Sequence, residues 1–497
     1  MSNKSIDTYY GGRYSILAGV MLGSIMGPID ASIVNVILPT ITQSFSVGIS
    51  VAQWVPMIYL LSISPLLLFY GRLGDILGYK KVYLSGLAGF VIASGLCSFS
   101  PTIYWLITFR AIQGLAAGMM MAVPYAIITA SFPPTERGKA LGINAISISA
   151  GLAIGPSLGG FVTSLLGWRF IFFINIPIGI VGLLWGRHVI PELQGQPGKI
   201  DIPGALTAFI SLFFILLFIN RVQSLGLSYG TGIMLLVGVL AGVGFLWMES
   251  RVAEPMLNLS LFRNVTFSFA NVSALLNFMS QYVMVFLTPF YLQRVLHYAP
   301  NKIGLIMTSF PLAVMAMAPL SGSLSDRMGT RILTCLGAGI SALSLILMSQ
   351  LSASASSVDV VWRLALFGLG TGIFQSPNNS AVMGSVPKSH LGIASGILAT
   401  TRNVGMVFGI ATGAALFYAF APSHILQKAT LESLESVAFL SGLKHAYIGG
   451  GILSGVAAIT SLVRSKSEKR GARERASLRL ETADKVWIKS NILYEEV

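Results

Sequence analysis

The chain has 497 residues, 54% of them hydrophobic and only 10% charged, with a mean hydropathy of +0.76. Soluble globular domains carry about 25% charged residues, so this composition argues against a soluble enzyme. The formal net charge of +14 is better read as basic loops of a membrane protein than as a nucleic-acid surface.

In lipid only helices and closed barrels satisfy the backbone. Barrel strands alternate apolar and polar residues, whereas this chain has apolar runs of helical length. An all-α membrane protein is therefore expected. A span needs about 20 mostly apolar residues. Taken in order, the runs are 14–38, 51–70, 81–99, 102–126, 140–163 and 168–187, then 203–220 and 229–248. The remainder are 266–290, 303–322, 332–350, 359–383, 391–419 and 440–463, which makes fourteen. The first run is too long for a cleaved leader and contains Asp30, so it reads as a retained span. One set of alternate loops holds most of the lysines and arginines, among them Arg13, Arg72, Lys80, Lys81, Arg137, Lys139, Arg327 and Arg331. The positive-inside bias places that set, and both termini, in the cytoplasm. The tail after Arg464 mixes basic and acidic residues, as a headgroup-bound helix or a solvated tail would. Cys97 and Cys335 are far apart and form no disulfide framework or metal cluster.

The chain repeats itself. Gly71, Leu73, Asp75 and Gly78 recur 251 positions later as Gly322, Leu324, Asp326 and Gly329. Gly114 and Gly118 recur as Gly368 and Gly372, 254 positions on, and Gly151, Gly155 and Gly159 recur at that spacing as Gly405, Gly409 and Gly413. A near-constant offset over several helices implies two homologous six-helix halves. The expected division is a first bundle over 1–187, a linker with two extra helices over 188–262, a second bundle over 263–463, and a charged tail over 464–497. Repeated bundles point to a transporter whose halves rock about a central site.

These residues also carry a resemblance. "DASIVNVILP" (Asp30–Pro39), "GRLGDILGYKK" (Gly71–Lys81), "RAIQGLAAG" (Arg110–Gly118), "GLAIGPSLGG" (Gly151–Gly160), "GWRFIFFINIP" and "GIASGILATTRNVGMVFG" resemble the motifs of the major facilitator superfamily, in its fourteen-helix drug:proton antiporter branch. The resemblance implies the major facilitator fold, two six-helix bundles plus two additional central helices. It implies export driven by the proton gradient, with no other cofactor. The chain departs from the loop motif at Ile76 and Tyr79, where basic residues are usual.

Asp30 and Arg110 are the candidates for proton coupling. An ionisable residue within a span is costly, roughly 2.5–3.5 kcal/mol at the helix centre on insertion scales, and so reads as functional. The first helix is expected to end near Pro39 and the fourth to begin near Thr102, which puts both side chains at similar depth in the outer half. Burial favours a neutral carboxyl and a nearby arginine a charged one. The pair is thus a switch that opens when a proton arrives, or else a static pair that fixes packing.

Gly71, Asp75, Gly78, Lys80 and Lys81, with Gly322, Asp326, Arg327 and Arg331, form the expected cytoplasmic gate. There Gly71 would permit close packing and Asp75 would cap or face a neighbouring helix N-terminus. Gly151, Gly155, Pro156, Gly159 and Gly160 form the antiporter motif. Its smooth face and the twin face of the second half are either plain close packing or, as the resemblance implies, a hinge or seal in the outer gate. Arg363 reads as a snorkelling residue paired with Asp359, and Arg402 as a deeper one with no visible partner. Asn35, Gln113, Met120, Asn277, Gln281 and Asn378 are the polar or flexible candidates for substrate contact, each also explicable by packing.

The expected function is a monomeric, proton-coupled exporter of small amphipathic or cationic compounds in the cytoplasmic membrane. Its partners are the cargo, protons and lipid, and not nucleic acid. No phosphate loop or nucleophilic triad points to an enzyme or an ATP-driven pump. A dedicated exporter of one metabolite, lipid or peptide, an inward-working symporter, and a transporter-like sensor without turnover are the alternatives.

Overall fold

The computed structural model describes residues 12–133, 136–192, 201–252, 259–387, 391–421 and 433–463. The tail after Arg464 and the side chains of Arg137, Lys139, Asp326 and Arg327 lie outside the described residues. The described elements are helical throughout.

The first half is built from α1 (Arg13–Phe45), α2 (Ile49–Ala52), α3 (Trp54–Ile63), α4 (Leu67–Leu77), α5 (Tyr79–Ser98), α6 (Ile103–Ala122), α7 (Pro124–Ser131), α8 (Arg137–Leu166), α9 (Phe170–Phe173) and α10 (Asn175–Val189). The extra pair is α11 (Ile202–Leu225) and α12 (Tyr229–Glu249). The second half is α13 (Val265–Arg294), α14 (Pro300–Met328), α15 (Thr330–Met348), α16 (Ser357–Gly384), α17 (Leu391–Phe420) and α18 (Ser433–Leu462).

Among the described residues thirteen helical segments are long and apolar enough to cross a membrane. The fourteenth expected span, 51–70, is broken. A 3₁₀ turn at Ser64–Leu66 separates α3 from α4, and Pro65 within it has no backbone N–H to continue the ladder. The first span also differs from expectation: α1 does not stop at Pro39 but runs on to Phe45, where Ser46 turns left-handed at φ 51°. Proline is tolerated inside membrane helices because neighbouring groups re-satisfy the backbone. Asp30 accordingly lies near the middle of α1 rather than toward its end.

The connections carrying Arg13, Lys80, Lys81 and Arg331 lie at one end of the bundle, here called the basic end; the other is the far end. Each half repeats the same helix pairs. α8 packs on α1 as α17 packs on α13, and α6 packs on α5 as α16 packs on α15. Glycine explains the closeness. A Cβ on Gly86 would meet the backbone of Met120 at 2.7 Å, and one on its repeat, Gly337, that of Phe374 at 2.5 Å. Small residues let backbones approach where lipid provides no hydrophobic drive between helices.

The extra helices do not stand apart. α11 packs against both α3 and α17, with Phe213 6.0 Å from Trp54 between ring centroids. A shallow apolar crease lined by Leu61, Leu212, Leu216, Val407 and Phe408 among others marks where it meets the two halves. α12 packs on α11, and most of its apolar surface faces outward.

The repeated island shows which glycines matter. Gly78 and Gly329 end α4 and α14 at φ +93° and +84°, a conformation that L side chains rarely adopt. A Cβ on Gly71 would meet nothing within 4 Å, so its expected packing role is not found. Gly74 is the crowded one: a Cβ on it would lie 2.8 Å from the Tyr79 ring and 2.9 Å from the Val123 side chain. Gly78→Ala and Gly329→Ala are therefore each expected to cost roughly 1–3 kcal/mol, read as a lowered Tm in detergent. Gly71→Ala is expected to leave Tm unchanged or raise it slightly, since alanine is the better helix former.

Candidate functional site

The best-built polar site lies inside the first half. Asp30 on α1 is 3% exposed and Arg110 on α6 is fully buried. Arg110 Nη1 donates to Asp30 Oδ2 and to Gln113 Oε1 at 2.7 Å. Asp30 Oδ1 accepts from Gln113 Nε2 and from Asn175 Nδ2, each at 3.2 Å. Gln113 also donates to Ser94 Oγ at 2.8 Å, and Cys97 Sγ donates to Gln113 Oε1 at 3.6 Å. Arg110 Nε reaches the Val55 carbonyl at 3.4 Å, while its guanidinium lies over the Tyr59 ring, 4.0 Å from the centroid.

A buried ion pair is weak evidence of stability by itself, because desolvation offsets the attraction. Here the remaining carboxylate oxygen is satisfied by two amides and the guanidinium stacks on an aromatic face. Chemically, the arrangement is a carboxylate with three donors. Adding a proton to it removes an acceptor site and weakens the arginine bond, so the network has to rearrange.

Sequence reasoning paired Asp30 with Arg110, and the structure brings them together with Gln113. It missed Asn175, Ser94 and Tyr59. Asn175 is a polar residue within the apolar run "FFINIP", at the start of α10 where the chain breaks from α9. That signal was visible in the sequence; Ser94 and Tyr59 had none.

The other substrate candidates do not gather with Gln113. Met120 is fully buried among α1, α5 and α6, its Cγ 3.1 Å from a Cβ built on Gly23. Asn35 donates to its own helix at Ala31, 2.8 Å away. Asn277 and Gln281 share a row with Ser273 and Thr288, which bond Thr460 and Tyr447 of α18. That row points into the second half. Asn378 is likewise buried, on α16.

The antiporter motif divides in two. A Cβ on Gly151 would meet Ile25, one on Gly155 would strike the Ser32 hydroxyl, and one on Gly159 would meet Ile33. These three face α1 within their own half. The twin triad, Gly405, Gly409 and Gly413, faces α13 in the same way. Each triad, spaced i, i+4, i+8, thus packs closely on one helix of its own half, which is the plain close-packing alternative; neither triad lies on the contact between the halves. Pro156 and Gly160 make the contact across. A Cβ on Gly160 would strike the Pro300 carbonyl on α14, and one on Gly304 would strike the Pro156 carbonyl. The two Pro-x-x-x-Gly segments cross reciprocally, with Ser157 and Thr308 hydroxyls 2.7 Å apart.

This crossing belongs to a joined far end. Gln293 Nε2 donates to Gln43 Oε1 at 3.0 Å, Arg294 Nη2 to Thr42 Oγ1 at 3.3 Å, and the Ser50 amide to the Tyr418 hydroxyl at 2.6 Å. At the basic end, Asp75 neither caps a helix nor crosses to the other half in any described bond. Its Oδ1 accepts from the Tyr79 hydroxyl at 2.5 Å, and Oδ2 lies 3.9 Å from Arg72. Tyr79, at a position where the family usually has a basic residue, is thus its partner. Lys80 and Lys81 follow at the start of α5.

The Major Facilitator Superfamily model matches residues 20–271 and again 269–494. The chain belongs to that superfamily. Its membership makes it a multi-pass membrane transporter of small molecules and not an enzyme. It is 34% identical over 407 residues to the riboflavin transporter RibZ of Clostridioides difficile, covering 82% of this chain and 88% of RibZ. It is 34% identical over 393 residues to the multidrug resistance protein Stp of Mycobacterium tuberculosis, covering 78% of this chain and 73% of Stp. Among solved structures, a bacterial homologue of the human lysosomal transporter Spinster, inward-facing and unoccupied, matches at TM-score 0.63 with 15% identity, over 92% of this chain and 97% of that one. A POT family transporter bound to a thioalcohol-conjugated peptide matches at TM-score 0.67 with 14% identity, over 90% and 95%. Both likenesses concern the fold.

Proposed function

We propose that this major facilitator protein exports small amphipathic compounds from the cytoplasm in exchange for protons. The basic end faces the cytoplasm in this reading, as the loop charges favour, and the membrane is the cytoplasmic one. The observation that carries the reading is Asp30, a carboxylate near the middle of a membrane helix and bonded to Arg110, Gln113 and Asn175. A proton on Asp30 loosens that network, and the halves then exchange access to the central site. The names of the relatives, multidrug resistance proteins among them, support efflux of foreign compounds. The riboflavin transporter supports the second reading, a dedicated carrier of one metabolite.

The test is a substrate panel in proteoliposomes with an imposed pH gradient, comparing the native chain with Asp30→Asn. Asparagine keeps the volume and one acceptor for Arg110 but takes no proton. Gradient-driven flux is expected to disappear in the variant at unchanged membrane abundance. Flux that still follows the gradient would remove Asp30 from the coupling.

A further inference from the structure

Charges inside the membrane region are unevenly matched. Asp30 has Arg110, and Asp359 has Arg363 at 3.5 Å near the far end. Arg402 has no such partner. It sits eleven residues into α17 and is half-buried; among the described residues no hydrogen bond or ion pair holds its guanidinium. A cation embedded in a membrane is costly, and its presence marks a site where a partner is supplied. Lys444 differs: it is exposed, and lies beyond Tyr447, whose hydroxyl meets Thr288 toward the far end.

Arg402 stands at the seam between the halves. Its neighbour Thr400 donates to the Ser64 carbonyl of the first half at 3.5 Å, and Thr401 to Asn271 Oδ1 on α13 at 3.3 Å. Gly409, two turns after Arg402 on the same face of α17, packs on Tyr282 of α13, where a Cβ on it would meet the Tyr282 Cβ at 2.8 Å. The Tyr59 hydroxyl is buried without a hydrogen-bond partner, and so is Nη2 of Arg110 above its ring. Of these two groups Arg110 Nη2 can only donate, and the Tyr59 hydroxyl can donate or accept. The one carboxylate beside them, Asp30, is already bound by three side chains.

We propose that the cargo carries an anionic oxygen group, a carboxylate or phosphate, which Arg402 binds while the rest of the molecule lies toward Tyr282 and Tyr59. This rests on the transport reading above and names the class of its cargo. A lipophilic cation finds no unbound carboxylate along this line. An anionic phospholipid headgroup offers the same chemistry as a soluble anion, and the experiment separates the two.

Three matched probes are used with the full chain in proteoliposomes: 2-naphthoate, its neutral amide, and naphthylmethylammonium. Binding is read by tryptophan quenching and flux under a pH gradient. The native chain is expected to favour the carboxylate over the ammonium. Arg402→Gln is expected to weaken carboxylate binding about tenfold or more, the worth of one charge-assisted bond, while Arg402→Lys retains most of it. Carboxylate binding lost in Arg402→Gln without flux of any probe supports the anion site and counts against export. Preference for the ammonium, or carboxylate binding equal in all three proteins, overturns the proposal. So does a difference confined to co-purified phosphatidylglycerol, which gives Arg402 to the lipid. Absence of binding by any probe to the native chain also overturns it.

Discussion

Arg110→Ala is expected to be among the most damaging single substitutions in this chain. It leaves the Asp30 carboxylate buried and strips away its only cationic partner in the described network. Breaking a buried pair from one side costs about 3–5 kcal/mol, a large part of the stability of most domains. The measurement is thermal unfolding in detergent together with membrane abundance. Removing both charges, as Asp30→Asn with Arg110→Gln, is expected to recover much of the lost stability, because no unpaired charge remains. Transport separates the two views of the pair. If the pair only fixes packing, the double variant regains flux with stability. If it is the proton switch, stability returns and gradient-driven flux does not.

Gly160→Leu is expected to act on the balance between conformations rather than on folding. Gly160 touches the Pro300 backbone across the seam, so an added side chain opposes closure of the far end and little else. Overpacking costs about 1–3 kcal/mol, which shifts a two-state balance roughly 5- to 150-fold. Spin labels at positions 43 and 293, whose side chains bond across the seam, should move apart in Gly160→Leu and in Gly304→Leu alike. Gly155→Leu is the control. Its Cβ meets Ser32 within the same half, so it should lower Tm while leaving the far-end distance unchanged wherever protein survives. Equal distances in all three variants would show that the Pro-x-x-x-Gly crossing does not govern closure.

Much of this architecture is legible in the chain itself. Lipid forces the backbone into helices, so apolar runs of spanning length locate the membrane segments, and the offset near 254 announces paired bundles. The Asp30–Arg110 pair was legible for a related reason. Ionisable groups are rare within spans, and two at matching depth have few other partners to choose. The glycine triads were visible as faces, because their spacing follows the helical period.

What those faces touch was not legible. A helix face has no address in the sequence, since every neighbour offers similar apolar surface. Only the packed structure shows Gly151, Gly155 and Gly159 against α1, and Pro156 with Gly160 against α14. The same holds for Asn175, which reaches Asp30 from a helix 145 positions away, and for Tyr79, whose hydroxyl turns Asp75 back onto its own island. The sequence by itself determined that this chain spans a membrane as a repeated helical transporter, because solvation of the backbone and of charge is a local matter. The tertiary structure alone decided which glycine lies on the seam and which amides hold the carboxylate, because these depend on approaches of a few ångströms between helices distant in the chain.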